Sequence, residues 1–237
     1  MSTNADITMA AAVQAGTDAL NAGDLTTALE HFKQVIEAFP DRPEGHNNLG
    51  ALYAGLGENE QAETCFNHVL ELLPENANVL YNRGVARVRL EKFDSAYEDF
   101  SRVVTALPDD AEAHNNLGVT AFMRGAFGEA QAHLRRAMEL REDYATALLN
   151  LCDVMAADRK ANAAASLCEN YLTTHPGDMD VRRRQFRLLT ESCHDALSQA
   201  GRAAEEILAA DEQDSQTRHE WGRILEAKDL LIAAASA

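Results

Sequence analysis

Apolar residues along this chain recur at helical spacing in short runs, and polar turns separate one run from the next. The segments GLGENE, LEKFDS and RGAFGE each stand between two such runs and contain residues that favour turns. An apolar stripe with a period of about 3.6 residues is typical of an amphipathic helix. The pattern therefore predicts an all-α chain that is built from pairs of helices.

The helix pairs repeat with a period of 34 residues. The stretch EGHNNLG at Glu44–Gly50 returns as EAHNNLG at Glu112–Gly118, 68 residues later, which is twice that period. Rows of 34 residues that begin at Met9 align prolines, glycines, alanines and large apolar residues in columns: Pro40, Pro74, Pro108 and Pro176; Gly16, Gly50, Gly84 and Gly118; Ala28, Ala62, Ala96, Ala130 and Ala164; Phe32, Phe66, Phe100, Leu134 and Cys168. Self-similarity at a fixed period predicts a repeat architecture.

These small, aromatic and proline columns resemble the pattern of the tetratricopeptide repeat family. The resemblance covers residues 9–178 as five repeats, over 9–42, 43–76, 77–110, 111–144 and 145–178. It implies an all-α, right-handed superhelical solenoid whose first helices line a concave groove. The HNNLG motif is also similar to motifs in repeats that are fused to bacterial glycosyltransferases of the O-linked N-acetylglucosamine transferase type.

The two ends of the chain depart from the period. We expect a flexible tail over residues 1–8 and an irregular sixth helix pair over 179–212. Residues 213–237 are expected to form a capping helix, because an end repeat exposes an apolar side that a terminal helix normally covers. A docking helix for another protein is the alternative for this segment.

Asparagines occupy one column of four consecutive repeats, at Asn48, Asn82, Asn116 and Asn150. Asparagine is a mediocre helix former, so local folding does not explain the column. In the glycosyltransferase repeats that the chain resembles, a ladder of such asparagines holds the backbone of a bound peptide, and an amide offers both donors and an acceptor for that task. The alternative is that these side chains form hydrogen bonds between helices.

The same resemblance assigns further columns to the groove. They contribute Asn47, Tyr81, Val85, Asn115, Val119, Phe122, Asp153, Arg183 and Arg187. The middle of the predicted groove is apolar, and its C-terminal end carries arginines beside Asp153. We expect an extended ligand with apolar residues near its middle and an acidic group near Arg183 and Arg187.

Charge and cysteine content narrow the class of partner. The chain of 237 residues has 21 Lys and Arg against 38 Asp and Glu, a formal net charge of −17. Phosphate neutralisation needs clustered basic residues, so nucleic acid is not expected as a partner. No apolar run approaches the roughly 18 residues of a membrane-spanning helix, so direct membrane insertion is not expected. Four cysteines without a C-x-x-C pair, and the absence of a targeting segment, predict a reduced, cytoplasmic protein.

Catalytic and metal chemistry are not expected. The SCHD run at Ser192–Asp195 holds Cys, His and Asp, but adjacent helical residues point in different directions and form no triad. His46 and His114 lie two repeats apart, too far to share a metal ion. We therefore expect neither a cofactor nor a bound metal.

The sequence thus predicts a non-enzymatic adaptor whose concave groove binds a segment of another protein. A recruiting or regulatory subunit of a bacterial glycosyltransferase is one alternative, and a self-assembling scaffold is the other.

Overall fold

The computed structural model describes residues 4–210 and 217–226, which are helical apart from short connections. The helices are α1 (Asn4–Asn21), α2 (Leu25–Ala38), α3 (Pro43–Leu56), α4 (Asn59–Leu72), α5 (Ala77–Arg89), α6 (Phe93–Ala106), α7 (Ala111–Met123), α8 (Phe127–Leu140), α9 (Ala145–Ala157), α10 (Ala161–Thr174) and α11 (Met179–Ala210). A further helical segment covers residues 217–226. The chain divides into two compact units, Met1–Val154 and Met155–Ala237.

Unit 1 is a stack of helix pairs. Helices α1 and α2, α3 and α4, α5 and α6, and α7 and α8 pack as hairpins. Successive pairs are joined by the contacts of α2 with α3, α4 with α5 and α6 with α7. The first helices also contact one another, α1 with α3, α3 with α5 and α5 with α7. They form an inner layer along one side of the stack. This is the helical solenoid that the 34-residue period predicts.

The two helices of each pair approach closely because the inner helix carries glycine at the crossing. A Cβ atom on Gly84 of α5 would lie 2.9 Å from Cε1 of Phe100 on α6, whose ring is fully buried. On Gly118 of α7 it would lie 2.7 Å from Leu134 Cγ and 3.1 Å from the carbonyl oxygen of Ala130. Real Cβ atoms do not approach other atoms so closely, so the glycine column and the phenylalanine column are two sides of one contact.

Polar caps mark where α5 and α7 begin. The Asn76 side chain accepts a hydrogen bond from the Val79 amide at the start of α5. Asp110 accepts from the amides of Glu112 and Ala113 at the start of α7. Each cap satisfies backbone donors that the first turn of a helix leaves without partners.

Unit 2 contains a long helix where a sixth helix pair was expected, so that prediction is wrong. Helix α11 runs without interruption from Met179 to Ala210 and packs on α10. Its one glycine is Gly201 and it has no proline. A lone glycine costs a helix only about 1 kcal/mol, which does not create a turn. Val181 and Leu188 of α11 and Cys168 and Leu172 of α10 are buried.

The expected flexible tail is also corrected in part. Helix α1 begins at Asn4, because no proline or glycine stands before Gly16 to stop it. Residues 1–3 lie outside the described residues. Of the expected capping helix over 213–237, residues 217–226 are helical with Trp221 half-buried, and the rest lies outside the described residues. The capping role stays a prediction.

Gly84→Ala tests the close helix contact. The added methyl group would meet the buried Phe100 ring, so we expect a loss of about 1–3 kcal/mol in the free energy of unfolding, typical of overpacking. Gly55→Ala in α3 is the matched control, because a Cβ there meets nothing within 4 Å. Its stability should stay the same or rise slightly, since alanine is the better helix former. Urea unfolding followed by circular dichroism measures both, and equal stability of the two variants would contradict the packing argument.

Candidate binding groove

A chain of hydrogen bonds joins three inner helices. Asn150 Nδ2 on α9 donates to Asn115 Oδ1 on α7 at 2.8 Å. Asn115 Nδ2 donates to Asn116 Oδ1 at 3.4 Å, and Asn116 Nδ2 donates to Tyr81 Oη on α5 at 2.9 Å. Because the Tyr81 oxygen accepts this bond, its own O–H remains a donor. Four of the predicted groove residues thus form one polar network within unit 1.

The hydrogen bonds between inner helices join positions that are offset by one residue from the repeat period. Both inter-repeat bonds join residues 35 positions apart, one repeat plus one residue. Tyr81 and Asn115, which share one column, each accept a hydrogen bond from the ladder asparagine of the next repeat. Among the residues that the structure describes, no such bond joins Asn82 to Asn47, the equivalent pair one repeat earlier.

The four asparagines of the ladder therefore differ in their hydrogen-bond partners. Asn116 and Asn150 bond to neighbouring repeats, and Asn48 Nδ2 donates to the Glu44 carbonyl oxygen of its own helix at 2.8 Å. Asn82 lines a cavity. Hydrogen bonds between helices, the alternative stated from the sequence, account for two of the four side chains. Asn82 is half-buried and is the one member of the four that lines the Tyr81 cavity described below.

Two cavities recur with the repeat period in unit 1. The Tyr81 cavity, of about 320 Å³, lies between α5, the end of α6 and the start of α7, and is lined by Ala77, Asn78, Tyr81, Asn82, Val103, Leu107, Asp110 and Glu112. The Asn47 cavity, of about 310 Å³, lies one repeat earlier and is lined by Pro43, Glu44, Asn47, Val69, Leu73, Asn76, Asn78 and Val79. Seven positions of one correspond to seven of the other at a shift of 34 residues.

A third, apolar cavity brings together the predicted centre of the groove. The Val119 cavity, of about 140 Å³, is lined by Val85, Val88, Arg89, Phe100, Asn116, Val119 and Thr120. Phe122 is not among these residues. Its ring packs instead on Phe127 of α8, with ring centroids 5.8 Å apart.

The remaining predicted groove residues divide between the two units. Asp153 is half-buried on α9 in unit 1. Arg183 and Arg187 are exposed on α11 in unit 2, where they line a surface depression of about 440 Å³ with Arg182, Phe186 and Thr190. Arg183 also pairs with Asp180 at 2.9 Å. The acidic ligand group expected near these arginines stays a prediction.

An ionic network that the sequence did not predict lies on the opposite side of α5. Arg83 Nε and Nη2 donate to the two oxygens of Asp99 on α6, at 3.0 and 2.6 Å. Arg87 Nη1 donates to the same carboxylate at 2.8 Å, and Arg87 Nε donates to Glu63 on α4 at 2.8 Å. Lys92 Nζ completes the network on Glu63 at 2.6 Å. The network joins α5 to α4 of the preceding pair and to its own partner α6.

The burial of this network makes it structurally important. The Asp99 side chain is only 2% exposed, and two guanidinium groups surround it. Burial alone would raise the pKa of Glu63, but hydrogen bonds from Lys92 and Arg87 outweigh it and lower the pKa. Arg83 and Arg87 lie one turn apart, about half a turn around the helix from Tyr81 and Val85. That spacing is the signal in the sequence that could have indicated a second, polar face on α5.

Two stacked histidine pairs lie between the two helices of a pair in unit 1. His46 of α3 stacks on His68 of α4, and His114 of α7 stacks on His133 of α8, with ring centroids 4.7 and 5.4 Å apart. His114 Nε2 lies 3.1 Å from the Pro108 carbonyl oxygen and must donate to it. In the neutral pair His114 Nδ1 then accepts, at 3.2 Å, from Nδ1–H of His133.

The described part of the chain carries neither a metal-binding cluster nor a membrane-spanning helix. No group of three or more His, Cys, Asp or Glu that could hold a metal ion occurs among those residues. None of their helices has both the length and the apolar character needed to cross a bilayer.

Sequence comparison identifies the repeat directly. Two family models described as tetratricopeptide repeat match residues 19–83 and 81–145. No curated protein sequence matches the chain.

Several solved structures share the fold. MamA of Desulfovibrio magneticus RS-1, from its residue 41 onward, is 20% identical with a TM-score of 0.68, covering 72% of this chain and 96% of its own. YrrB, described as a repeat protein with an unusual peptide-binding site, is 20% identical with a TM-score of 0.66, covering 73% and 89%. PilF of Pseudomonas aeruginosa is 17% identical with a TM-score of 0.64, covering 93% and 100%. At these identities the likeness shows the fold alone.

Asp99→Asn tests the ionic network. The substitution keeps the shape but removes the charge between two partly buried guanidinium groups, so we expect a loss of about 3 kcal/mol in the free energy of unfolding. Glu75→Gln is the control, because its pair with Arg102 is largely exposed and should contribute less than about 1 kcal/mol. Similar losses in urea unfolding for both variants would refute a special role for the buried network.

The histidine pairs predict a pH dependence of stability. Burial, and then the neighbouring His68, lower the pKa of His46 against an opposing effect of Glu71. Burial and then His114 lower the pKa of His133 against Glu129. The unfolded chain therefore binds more protons than the folded one as the pH falls from about 6.5, so stability should decline through that range.

Urea unfolding at pH 7.5 and 5.5 measures this decline. The double variant His46→Gln with His133→Gln should lose less stability between the two pH values than the parent chain. An unchanged pH slope in the variant would show that these pairs are not its source.

Proposed function

Because this chain belongs to the tetratricopeptide repeat family, we propose that it is a non-catalytic adaptor that binds an extended segment of a partner protein along α3, α5 and α7. Stacked repeats create extended concave surfaces, which such proteins use for binding. No enzymatic family is indicated by the comparisons. In the SCHD run, Cys193 is exposed, while the side chains of His194 and Asp195 lie outside the described residues.

The Val119 cavity is the observation that carries this proposal. Val85, Val88 and Val119 are half-buried rather than covered, and with Phe100 they form an apolar depression on the inner layer. Asn116 and Arg89 supply polar atoms at the same cavity. Such a combination of apolar walls and a few placed polar groups is typical of a binding site.

The repeat spacing sets how a ligand would lie. One repeat advances the groove by about 10 Å, the spacing of packed helices. An extended segment advances about 3.3 Å per residue, so equivalent cavities would meet every third ligand residue. Asn82 and the Tyr81 hydroxyl offer hydrogen bonds to such a segment.

Apolar contact must supply much of the affinity. A net hydrogen bond contributes only about 0.5–1.5 kcal/mol, whereas association costs at least about 4 kcal/mol. Full burial of one aliphatic side chain contributes about 1.5–3 kcal/mol. The Val119 cavity suits a small aliphatic side chain of the partner.

Self-association is a second candidate function. Phe186 on α11 is 63% exposed beside Arg183 and Arg187, and Met179 and Leu189 of the same helix are also exposed. An exposed apolar patch with a polar rim is typical of an interaction surface. A mass above that of one chain in light scattering, lost in Phe186→Ser, would favour the scaffold. The role as a glycosyltransferase subunit stays a prediction that neighbouring sugar-transfer genes would support.

Val119→Lys tests the groove. A charged side chain in the Val119 cavity should reduce partner binding at least tenfold, because it replaces the apolar contact with a buried charge. The measurement is quantitative capture from the native cell extract, together with selection from a library of nine-residue peptides. Leu72→Lys on α4 is the control, since Leu72 is exposed and lines none of the three cavities. Both variants must keep the parent's circular dichroism spectrum. Unchanged binding by a folded Val119→Lys chain would place the binding surface elsewhere.

A further inference from the structure

The Tyr81 and Asn47 cavities have equivalent aliphatic walls, but their rims differ in charge. Leu107, 42% exposed, and buried Val103 form the aliphatic wall of the Tyr81 cavity. Leu73, 44% exposed, and buried Val69 occupy the same places in the Asn47 cavity. The rim of the Tyr81 cavity has Asp110 and Glu112 where the Asn47 cavity has Asn76 and Asn78. At these two rim positions the same architecture thus exists once with carboxylates and once with amides.

The charge balance at the Tyr81 cavity is negative. Asp110 Oδ1 accepts two backbone amide hydrogens, and this carboxylate has no cationic side chain within ion-pair distance in the described part of the chain. Glu112 pairs with Arg141 at 3.2 Å, with both side chains about half exposed. Two carboxylates face one guanidinium group there. Burial first, and then the charges of Glu112 and Asp110, raise the pKa of Tyr81.

The Asn47 cavity lacks this imbalance. Its one carboxylate, Glu44, pairs with Arg42 at 3.0 Å. Asn76 performs the same capping role as Asp110, by accepting a hydrogen bond from the Val79 amide at 3.2 Å. The fold therefore accommodates either residue type at this rim.

We propose that the Tyr81 cavity binds a lysine or arginine side chain of the partner segment, whereas the Asn47 cavity takes a neutral side chain. This rests on the proposed function of the groove. Lysine and arginine carry an aliphatic stem and a cationic head. The stem lies along Leu107 and Val103, and the head meets Asp110 and Glu112 beside the Tyr81 hydroxyl. Charge complementarity with the strongly acidic chain favours the same ligand class.

The chain itself supplies the matched variants. Asp110→Asn with Glu112→Asn gives the Tyr81 cavity the rim of the Asn47 cavity. Asn76→Asp with Asn78→Glu makes the reverse exchange at the Asn47 cavity. Because Asn78 lines both cavities, this variant also adds a carboxylate to the Tyr81 cavity and should keep or strengthen the lysine preference there. Because each rim occurs naturally one repeat away, both variants are expected to fold, and circular dichroism with urea unfolding verifies this.

The probe is a positional library of nine-residue peptides, blocked at both ends, in which one position at a time is lysine, norleucine or glutamate. With the parent chain we expect one position at which lysine is retained at least tenfold better than norleucine, and glutamate least. The Asp110→Asn, Glu112→Asn variant should reduce that preference to about twofold and keep the apolar preference at other positions. The Asn76→Asp, Asn78→Glu variant should add a second lysine position three residues away.

The outcomes separate this inference from the proposed function. Selection of apolar residues without any lysine preference by the parent chain would overturn the cationic assignment and leave the groove in place. A lysine preference that persists in the Asp110→Asn, Glu112→Asn variant would also overturn it. No selective position at all in the parent chain would overturn both the groove and this assignment.

Discussion

The close approach of the two helices in each pair is the constraint on which unit 1 depends. Gly50, Gly84 and Gly118 lack the Cβ atom that would collide with Phe66, Phe100 and Leu134. Each large side chain fills the space that glycine leaves, so the two helices cross in an equivalent way in successive pairs. The cavities on the inner layer therefore return every 34 residues.

Two polar systems hold the inner layer in register from opposite sides. On the groove side, Asn150, Asn115 and Asn116 pass hydrogen bonds along to Tyr81. On the other side of α5, Asp99 anchors Arg83 and Arg87. Helix α5 is thus tied to α4, α6 and α7. A groove whose walls are ordered before the ligand arrives loses less conformational entropy on binding, which favours affinity.

The residues that set the helix packing differ from those that would distinguish one ligand from another in the proposed binding mode. The aliphatic walls, Val69 with Leu73 and Val103 with Leu107, are common to both period-related cavities. Their rims differ in charge, and the rim residues are not those of the glycine contact that sets the helix packing. In the proposed binding mode, ligand preference can therefore vary from repeat to repeat on the same helical scaffold.

The sequence by itself determined the helix pairs and their period, because these follow from local periodicity. It also determined the packing roles of the glycine, alanine and phenylalanine columns, which follow from steric fit within one repeat. It also placed Val85, Asn116 and Val119 on one surface. It missed the uninterrupted α11, because a turn was inferred where a lone Gly201 is tolerated inside a helix.

Only the tertiary structure decided the partners of the polar side chains. The bonds from Asn116 to Tyr81 and from Asn150 to Asn115 span 35 residues, so a column read at a period of 34 does not reveal them. Likewise, Asp99 meets Arg83 and Arg87 because two helices cross there, and a hydrogen bond depends on such positions in space to within a fraction of an ångström.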